Sequence, residues 1–261
     1  MGFSIAKYCD LLRNGISSGY DFIGFHEVGP IGQTVSRDNN LCLLRHDVDA
    51  DVSAALVMAK IERQLDVSAT YFLMLRSPLY NLMGRKNHMM VEEILDLGHA
   101  IGLHYDQGFD AMRNWTAART ATAIEEEAQW MEKQFNTKVS SVSFHQPSST
   151  ILQANIDTGT RINTYDRSRL VNFDYFSDSN RQFKLAELAK GNIENSFSVL
   201  FPRNLQLLIH PMWWVYNDKS TDAVWDRAIN SNLQTMQEQL VETERAYGIP
   251  RQFDISLTSL S

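Results

Sequence analysis

Two rhythms of apolar spacing share this chain. Helical spacing comes first: Ile5, Tyr8, Leu11, Leu12 and Ile16 recur every three to four residues and predict a helix over about 4–18. After a loop with Gly29, Pro30 and Gly32, a continuous apolar run predicts a buried strand at 41–47. Asp51 or Ser53 can cap a helix running to about 65, and the β-branched and aromatic stretch SATYFLML predicts a strand at 68–75. A polar loop over 76–86 leads to a helix from Asn87 to about Leu97, stopped by Gly98, and then to a strand at 99–105. A helix over 116–135 carries Ile124, Ala128, Trp130 and Met131 among its apolar positions, and a strand at 139–147 follows. The stretch 148–204 gives only short strand-like pieces near 161–165, 170–177 and 196–201. A buried strand at 205–211 and a long helix over 221–247 complete the pattern. Strands alternating with helices predict an α/β fold: a mostly parallel sheet with right-handed crossovers, closed or nearly closed into a barrel. No repeat, low-complexity tract or linker divides the 261 residues, so one domain is expected.

The strands share a second property, which is where they stop. LCLLRHDVD (41–49), GHAIGLHYD (98–106) and LQLLIHPMWW (205–214) each run from apolar residues into His, Asp or Trp. A rigid sheet with ionisable groups at its C-terminal edge is how α/β enzymes carry their chemistry. One strand-end histidine is more often structural than catalytic. Several on separate strands point to a shared site.

Composition narrows the classes. The chain is 44% hydrophobic and 21% charged, with a formal net charge of −7, which suits a globular domain and argues against broad binding to nucleic acid or anionic membrane. Cys9 and Cys42 are the two cysteines, and neither sits in a CxxC pair, so neither a disulfide framework nor a thiolate zinc site is expected. The first residues lack a basic segment followed by a long apolar core, and no window approaches ~18 uninterrupted apolar residues. The expectation is a cytoplasmic chain with no membrane span.

Asp47 and Asp49 lie two apart and face the same side of a regular strand. One can hold a metal while the other acts as base; the plainer alternative is that Asp49 and Asp51 cap the next helix. His99 and His104, five apart, fall on opposite strand faces, and His104 is nearer the C-terminal end. His145 ends its strand ahead of Pro147, and His210 ends another ahead of Pro211. Trp213 and Trp214 read either as a sugar-stacking wall or as packing.

In their order these motifs resemble the NodB-homology polysaccharide deacetylases, carbohydrate esterase family 4. RHDVD resembles the first motif of that family, GHAIGLHYD the second, SFHQP the third, YFSDSNRQF the fourth and LLIHP the fifth. The matches span about 45–211, within a motif-bearing core of about 41–246, and HDVD with GLHYD resembles a branch found with surface-polysaccharide and O-antigen biosynthesis. The resemblance implies a distorted (β/α)7 barrel, NodB-like, and hydrolysis of an N-acyl amide on a sugar that is nucleotide- or lipid-linked. It implies a divalent metal, taken as zinc, on Asp49 and His104. Asp47 is implied as base, His210 as acid, and Asp178 as the carboxylate that orients one of them. Three positions depart from the family pattern. The second metal histidine, four after His104, is Gly108; the third-motif arginine is His145; and Val48 separates two aspartates that are adjacent in the family. Two readings follow: His145 supplies the missing ligand, or the metal is bound weakly or not at all. Which aspartate is base and which is ligand stays open. The competing function is a catalytically lapsed member that only binds glycan or a partner.

Overall fold

The computed structural model describes residues 3–28, 40–108, 116–182 and 204–248. Its elements in chain order are α1 (Ile5–Ser17), β1 (Tyr20–Ile23), β2 (Asn40–Val48), α2 (Val52–Gln64), β3 (Thr70–Leu73), α3 (Arg85–Asp96), β4 (Ala100–Asp106), α4 (Ala117–Phe135), β5 (Ser141–His145), α5 (Ser149–Ala154), β6 (Ile162–Asn163), β7 (Asp174–Ser177), β8 (Asn204–Ile209), α6 (Pro211–Val215) and α7 (Thr221–Thr243). The helices over 4–18, 116–135 and 221–247 start within a residue of their expected positions, and Ser4, Thr116 and Ser220 cap them. β1, α5 and α6 were not anticipated. The strand-like piece near 196–201 lies outside the described residues.

Among the described residues every strand pairing is parallel, in the order β6-β5-β4-β3-β2-β8-β7. β1 pairs with the first half of β2 (Tyr20↔Asn40 to Ile23↔Leu43), directly below the stretch that β3 pairs (Arg45↔Thr70 to Val48↔Leu73). The fold is thus α/β, with seven parallel strand positions.

That sheet curls into a half-barrel. Arg45 lies on β2 and Thr164 just past β6, four strand spacings apart along the sheet, which is roughly 19 Å if flat. Yet Arg45 Nη1 donates to Thr164 Oγ1 at 2.9 Å. The two ends, β6 and β7, do not pair, but the rings of Tyr165 and Tyr175 stand 6.4 Å apart across the seam.

Period-two alternation sorts the strand residues between two apolar clusters. Cys42, Leu44, Val48, Ile101, Leu103, Leu205 and Leu207 face the helices in the larger one. Leu41, Leu43, Ile23, Phe72 and Ile162 fill the smaller, which is the barrel lumen. Gly102 is needed beside the lumen, because a Cβ there would meet the Phe72 ring at 2.5 Å. The helix-facing side of β2 also holds a buried polar knot. Glu62 of α2 accepts bonds from Tyr8, from His46 Nε2 at 2.6 Å and from Tyr71 at 2.7 Å.

Candidate active site

The lumen-facing residues of β2 continue the odd-numbered series past the apolar ones with Arg45 and Asp47, and Asp49 follows just past the strand. Arg45 is fully buried, and its guanidinium holds both oxygens of Asp47, with Nε to Oδ1 at 2.8 Å and Nη2 to Oδ2 at 2.7 Å. The ring of Phe72 lies 5.4 Å from the guanidinium carbon and that of Tyr165 4.9 Å, and the Tyr165 hydroxyl accepts from Nη2 at 3.1 Å. Burial pushes the Asp47 carboxyl up, but Arg45 outweighs it and holds the group well below the usual carboxylate range. Arg45 is a site residue that sequence reasoning missed.

Register explains why Asp49 meets His104. Asp47 pairs with Phe72, which pairs with Gly102; Asp49 and His104 each lie two residues further on. His104 Nε2 stands 3.0 Å from Asp49 Oδ1 and 3.8 Å from Asp47 Oδ2. On the far side of β2, His210 Nε2 is 3.7 Å from Asp49 Oδ2. Burial raises the Asp49 pKa, and the opposing pull of His104 and then His210 leaves it below its ordinary value.

His210 sits where β8 gives way to α6, and Asp178 follows β7 on the neighbouring strand. Fully buried Asp178 accepts the His210 ring Nδ1–H at 2.5 Å, the His210 backbone N–H at 3.0 Å and the Trp214 indole N–H at 2.8 Å. Burial alone would lower the His210 pKa, but the Asp178 carboxylate outweighs it and raises the ring to about 9. Asp47, Asp49, His104, Asp178 and His210 thus come together at the C-terminal ends of the strands.

Two expectations are corrected. Trp213 and Trp214 are only 4% and 1% exposed, and neither offers a face to a sugar. Pro211 starts a helix that turns both indoles inward, Trp214 against Phe3 and Tyr8 and Trp213 against Trp225. Nor do Asp49, His104 and His145 gather as three metal ligands: among the described residues no group of three or more His, Cys, Asp or Glu side chains is placed to hold an ion. The cause is register. Ser143, not His145, pairs with His104; His145 pairs with Asp106, one pleat nearer the mouth, and its ring meets that of His104 edge-on at 5.4 Å.

Two donors do suit a divalent ion. Asp49 Oδ1 is buried and faces the His104 ring nitrogen Nε2 at 3.0 Å. An oxygen and an imidazole nitrogen at that separation are the donor types of a zinc-like ion, with the remaining positions left to water or substrate.

No protein family and no curated protein matches this chain by sequence. Among solved structures, a family 4 carbohydrate esterase from Bacillus anthracis is similar over 91% of this chain and 90% of its own, at 14% identity and a TM-score of 0.43. A Streptococcus pyogenes deacetylase in complex with acetate is similar over 78% and 80%, at 14% identity and 0.43. A CE4-family pseudoenzyme from Bacillus anthracis is similar over 78% of this chain, at 12% identity and 0.44; this chain spans 63% of its length. Likeness of this degree carries no functional weight, which rests on the side chains above.

Proposed function

We propose that this chain is a metal-dependent hydrolase that removes an N-acetyl or other N-acyl group from a nucleotide- or lipid-linked sugar, in the cytoplasm, during surface-polysaccharide or O-antigen assembly. The observation that carries the chemistry is the Asp178–His210 pair standing across Asp49 from His104, with Asp47 held as an anion by Arg45. The motif order carries the substrate class.

A divalent ion on Asp49 and His104 would polarise the acyl carbonyl and make bound water more acidic. The chain's own residues divide the proton work. Asp47 accepts the proton of the attacking water. Its Oδ2 keeps a lone pair beyond the one that Arg45 occupies, whereas Oδ1 also accepts from the Ser143 hydroxyl at 3.4 Å. His210 delivers its Nε2 proton to the departing amine, and Asp178 holds Nδ1 so that Nε2 faces the site. Base and acid therefore start in opposite protonation states near neutral pH, one kept low by a guanidinium and the other kept high by a carboxylate.

The second reading, a lapsed member that binds glycan or a partner without hydrolysis, is favoured by the lack of a third protein ligand among the described residues. Acyl release from N-acetylated nucleotide sugars, with zinc present, separates the two. The hydrolase reading expects release by the wild type and a loss of about 10²–10⁴-fold in each of Asp47→Asn and His210→Ala. Wild-type rates in both variants would remove these residues as the acid–base pair. No release from any N-acylated sugar by zinc-loaded protein would favour the lapsed member.

A further inference from the structure

The sheet does not close between β6 and β7, and a cavity of about 210 Å³ opens beside that seam. None of the catalytic steps uses it. Tyr165, Phe173 and Tyr175 give it aromatic walls, and Gln206 and Arg167 line it as well. Three of these side chains have binding capacity to spare. Tyr175 is 47% exposed, and its ring is tilted 49° from that of Tyr165, so the two do not stack on each other. Gln206 is only 2% exposed, yet its amide oxygen has no hydrogen-bond partner among the described residues. A buried amide left in that state costs free energy that a ligand donor would recover. Arg167 is exposed and has no ion pair among the described residues. Its neighbour Asp166 is already held by the backbone N–H and the hydroxyl of Ser168, at 2.8 and 2.6 Å.

Position limits what can fill the cavity. Tyr175 pairs with Gln206, and Gln206 with Leu43 of β2, so this wall stands six residues before Asp49, about 20 Å along the strand. The opposite wall is close to the chemistry, because the Tyr165 hydroxyl accepts from Arg45, which clamps Asp47. A sugar ring lodged against Gln206 would stand most of a strand's length from Asp49. A substrate that uses the cavity must therefore be long, with one end at the seam and its acyl sugar at the mouth. The cavity is smaller than the roughly 300 Å³ at which drug-sized pockets begin, so that end is a single flat ring rather than a prenyl chain. A hydrocarbon chain would also leave the Gln206 amide unpaired.

We propose that the seam cavity is a nucleoside subsite: the acylated sugar arrives on a nucleoside diphosphate, with its base on Tyr175 and against Gln206 and a phosphate at Arg167. The inference rests on the hydrolase reading of the site, and it names the carrier that this reading leaves open between nucleotide and lipid. Each contact has a chemical reason. Every base has a π-face to lay on a tyrosine ring. Every base edge sets a donor beside an acceptor, the pattern that a primary amide meets with two bonds. An arginine fork suits phosphate oxygens. The ribose and diphosphate between base and sugar supply the length that separates the cavity from Asp49.

The test reads binding, not turnover. UDP, CDP, ADP and GDP, each beside its plain nucleoside, are titrated by calorimetry into the full chain in zinc-free buffer. At least one diphosphate should bind the wild type, and more tightly than its nucleoside. Tyr175→Ala should weaken it about 5–150-fold, the worth of one stacked base. Gln206→Leu should weaken it too, while stability in urea stays unchanged or rises, because the amide oxygen it removes is unpaired in the fold. Arg167→Gln should weaken the diphosphate and spare the nucleoside. No binding of any of the four by wild type overturns the proposal, as does an affinity indifferent to both Tyr175→Ala and Gln206→Leu. Farnesyl diphosphate is the lipid arm: if it binds through Tyr175 and the nucleotides do not bind, the seam belongs to a prenyl carrier and the proposal falls. Should a variant fail to fold, wild-type NMR decides, since bound nucleotide should shift the Tyr175 ring and Gln206 amide signals, and unmoved signals overturn the subsite. The two readings fail separately. Nucleotide held by these residues in a protein that releases no acyl group would refute the hydrolase reading alone. Acyl release without nucleotide affinity would refute the subsite alone.

Discussion

Replacing Arg45 by methionine should be among the most damaging single changes available in this chain. Methionine keeps the length and fills much of the volume, so the loss is electrostatic rather than a cavity. Asp47, with a side chain 4% exposed, would be left in the lumen without its bidentate partner, keeping only the Ser143 hydroxyl at 3.4 Å and His104 Nε2 at 3.8 Å. Breaking a buried pair from one side costs about 3–5 kcal/mol, a third or more of the total stability of a weakly stable domain. The pair as a whole is worth much less, because its attraction largely offsets the desolvation of both ions. Arg45→Met/Asp47→Leu should therefore be more stable than Arg45→Met by about 2 kcal/mol or more. Urea unfolding followed by fluorescence of the five tryptophans gives both numbers, and a double-mutant cycle isolates the coupling. The acid limb adds an independent check. The Asp47 pKa is lowered in the fold, so its contribution is present above the unfolded value of about 3.9 and is lost as pH falls below it. Without Arg45 the largest pull against burial is gone and only His104 and His210 still lower that pKa, so the acid limb of the variant should be shallower than that of the wild type. A cost below about 1 kcal/mol for Arg45→Met, or strictly additive single changes, would refute the claim that the lumen is organised around this pair.

Two further outcomes follow from the other side of the site. In metal-free protein His210 should titrate near 9, and Asp178→Asn should bring it down, because the largest pull holding the ring charged is gone and Asp49 and Asp47 alone remain against burial; proton NMR of the ring checks both. With its pKa raised in the fold, His210 should stabilise the protein fully below about 6.5, and that contribution should fade as pH rises through about 9. Trp214→Ala should cost about 3–5 kcal/mol in urea unfolding, as for any large buried ring, and should leave sugar affinity per folded molecule unchanged. A lost sugar affinity at unchanged stability would return the indole to the binding surface.

What could be read from the sequence and what could not divide along a physical line. Strand-end position is a local property: an apolar run followed by His or Asp shows where a strand stops and which groups stand at its mouth. That was enough to nominate Asp47, Asp49, His104 and His210, which the structure brings together. The alternation that put Asp47 and Asp49 on one face also put Arg45 there, and an arginine inside LCLLRHDVD was the available signal for the clamp. It went unread because the residues that make Arg45 tolerable, Thr164 and Tyr165, lie 119 and 120 positions away and approach only once the sheet has curled. The place of Ser143 was hidden for a similar reason, since only the register shows that it, rather than His145, stands beside His104. The tryptophans stayed between a sugar-stacking wall and packing because Trp-Trp after a catalytic-looking histidine carries no mark of direction. Only the turn of helix begun by Pro211, and a buried carboxylate that takes the Trp214 indole N–H, send the rings inward. Glu62 had its own signal, a charge on the Ala55–Ala59 face of α2, but its partners come from α1, β2 and β3. In each case the strand supplied the group and the curled sheet supplied its partner. Nominating a charged residue needs the first alone, whereas assigning its proton needs both.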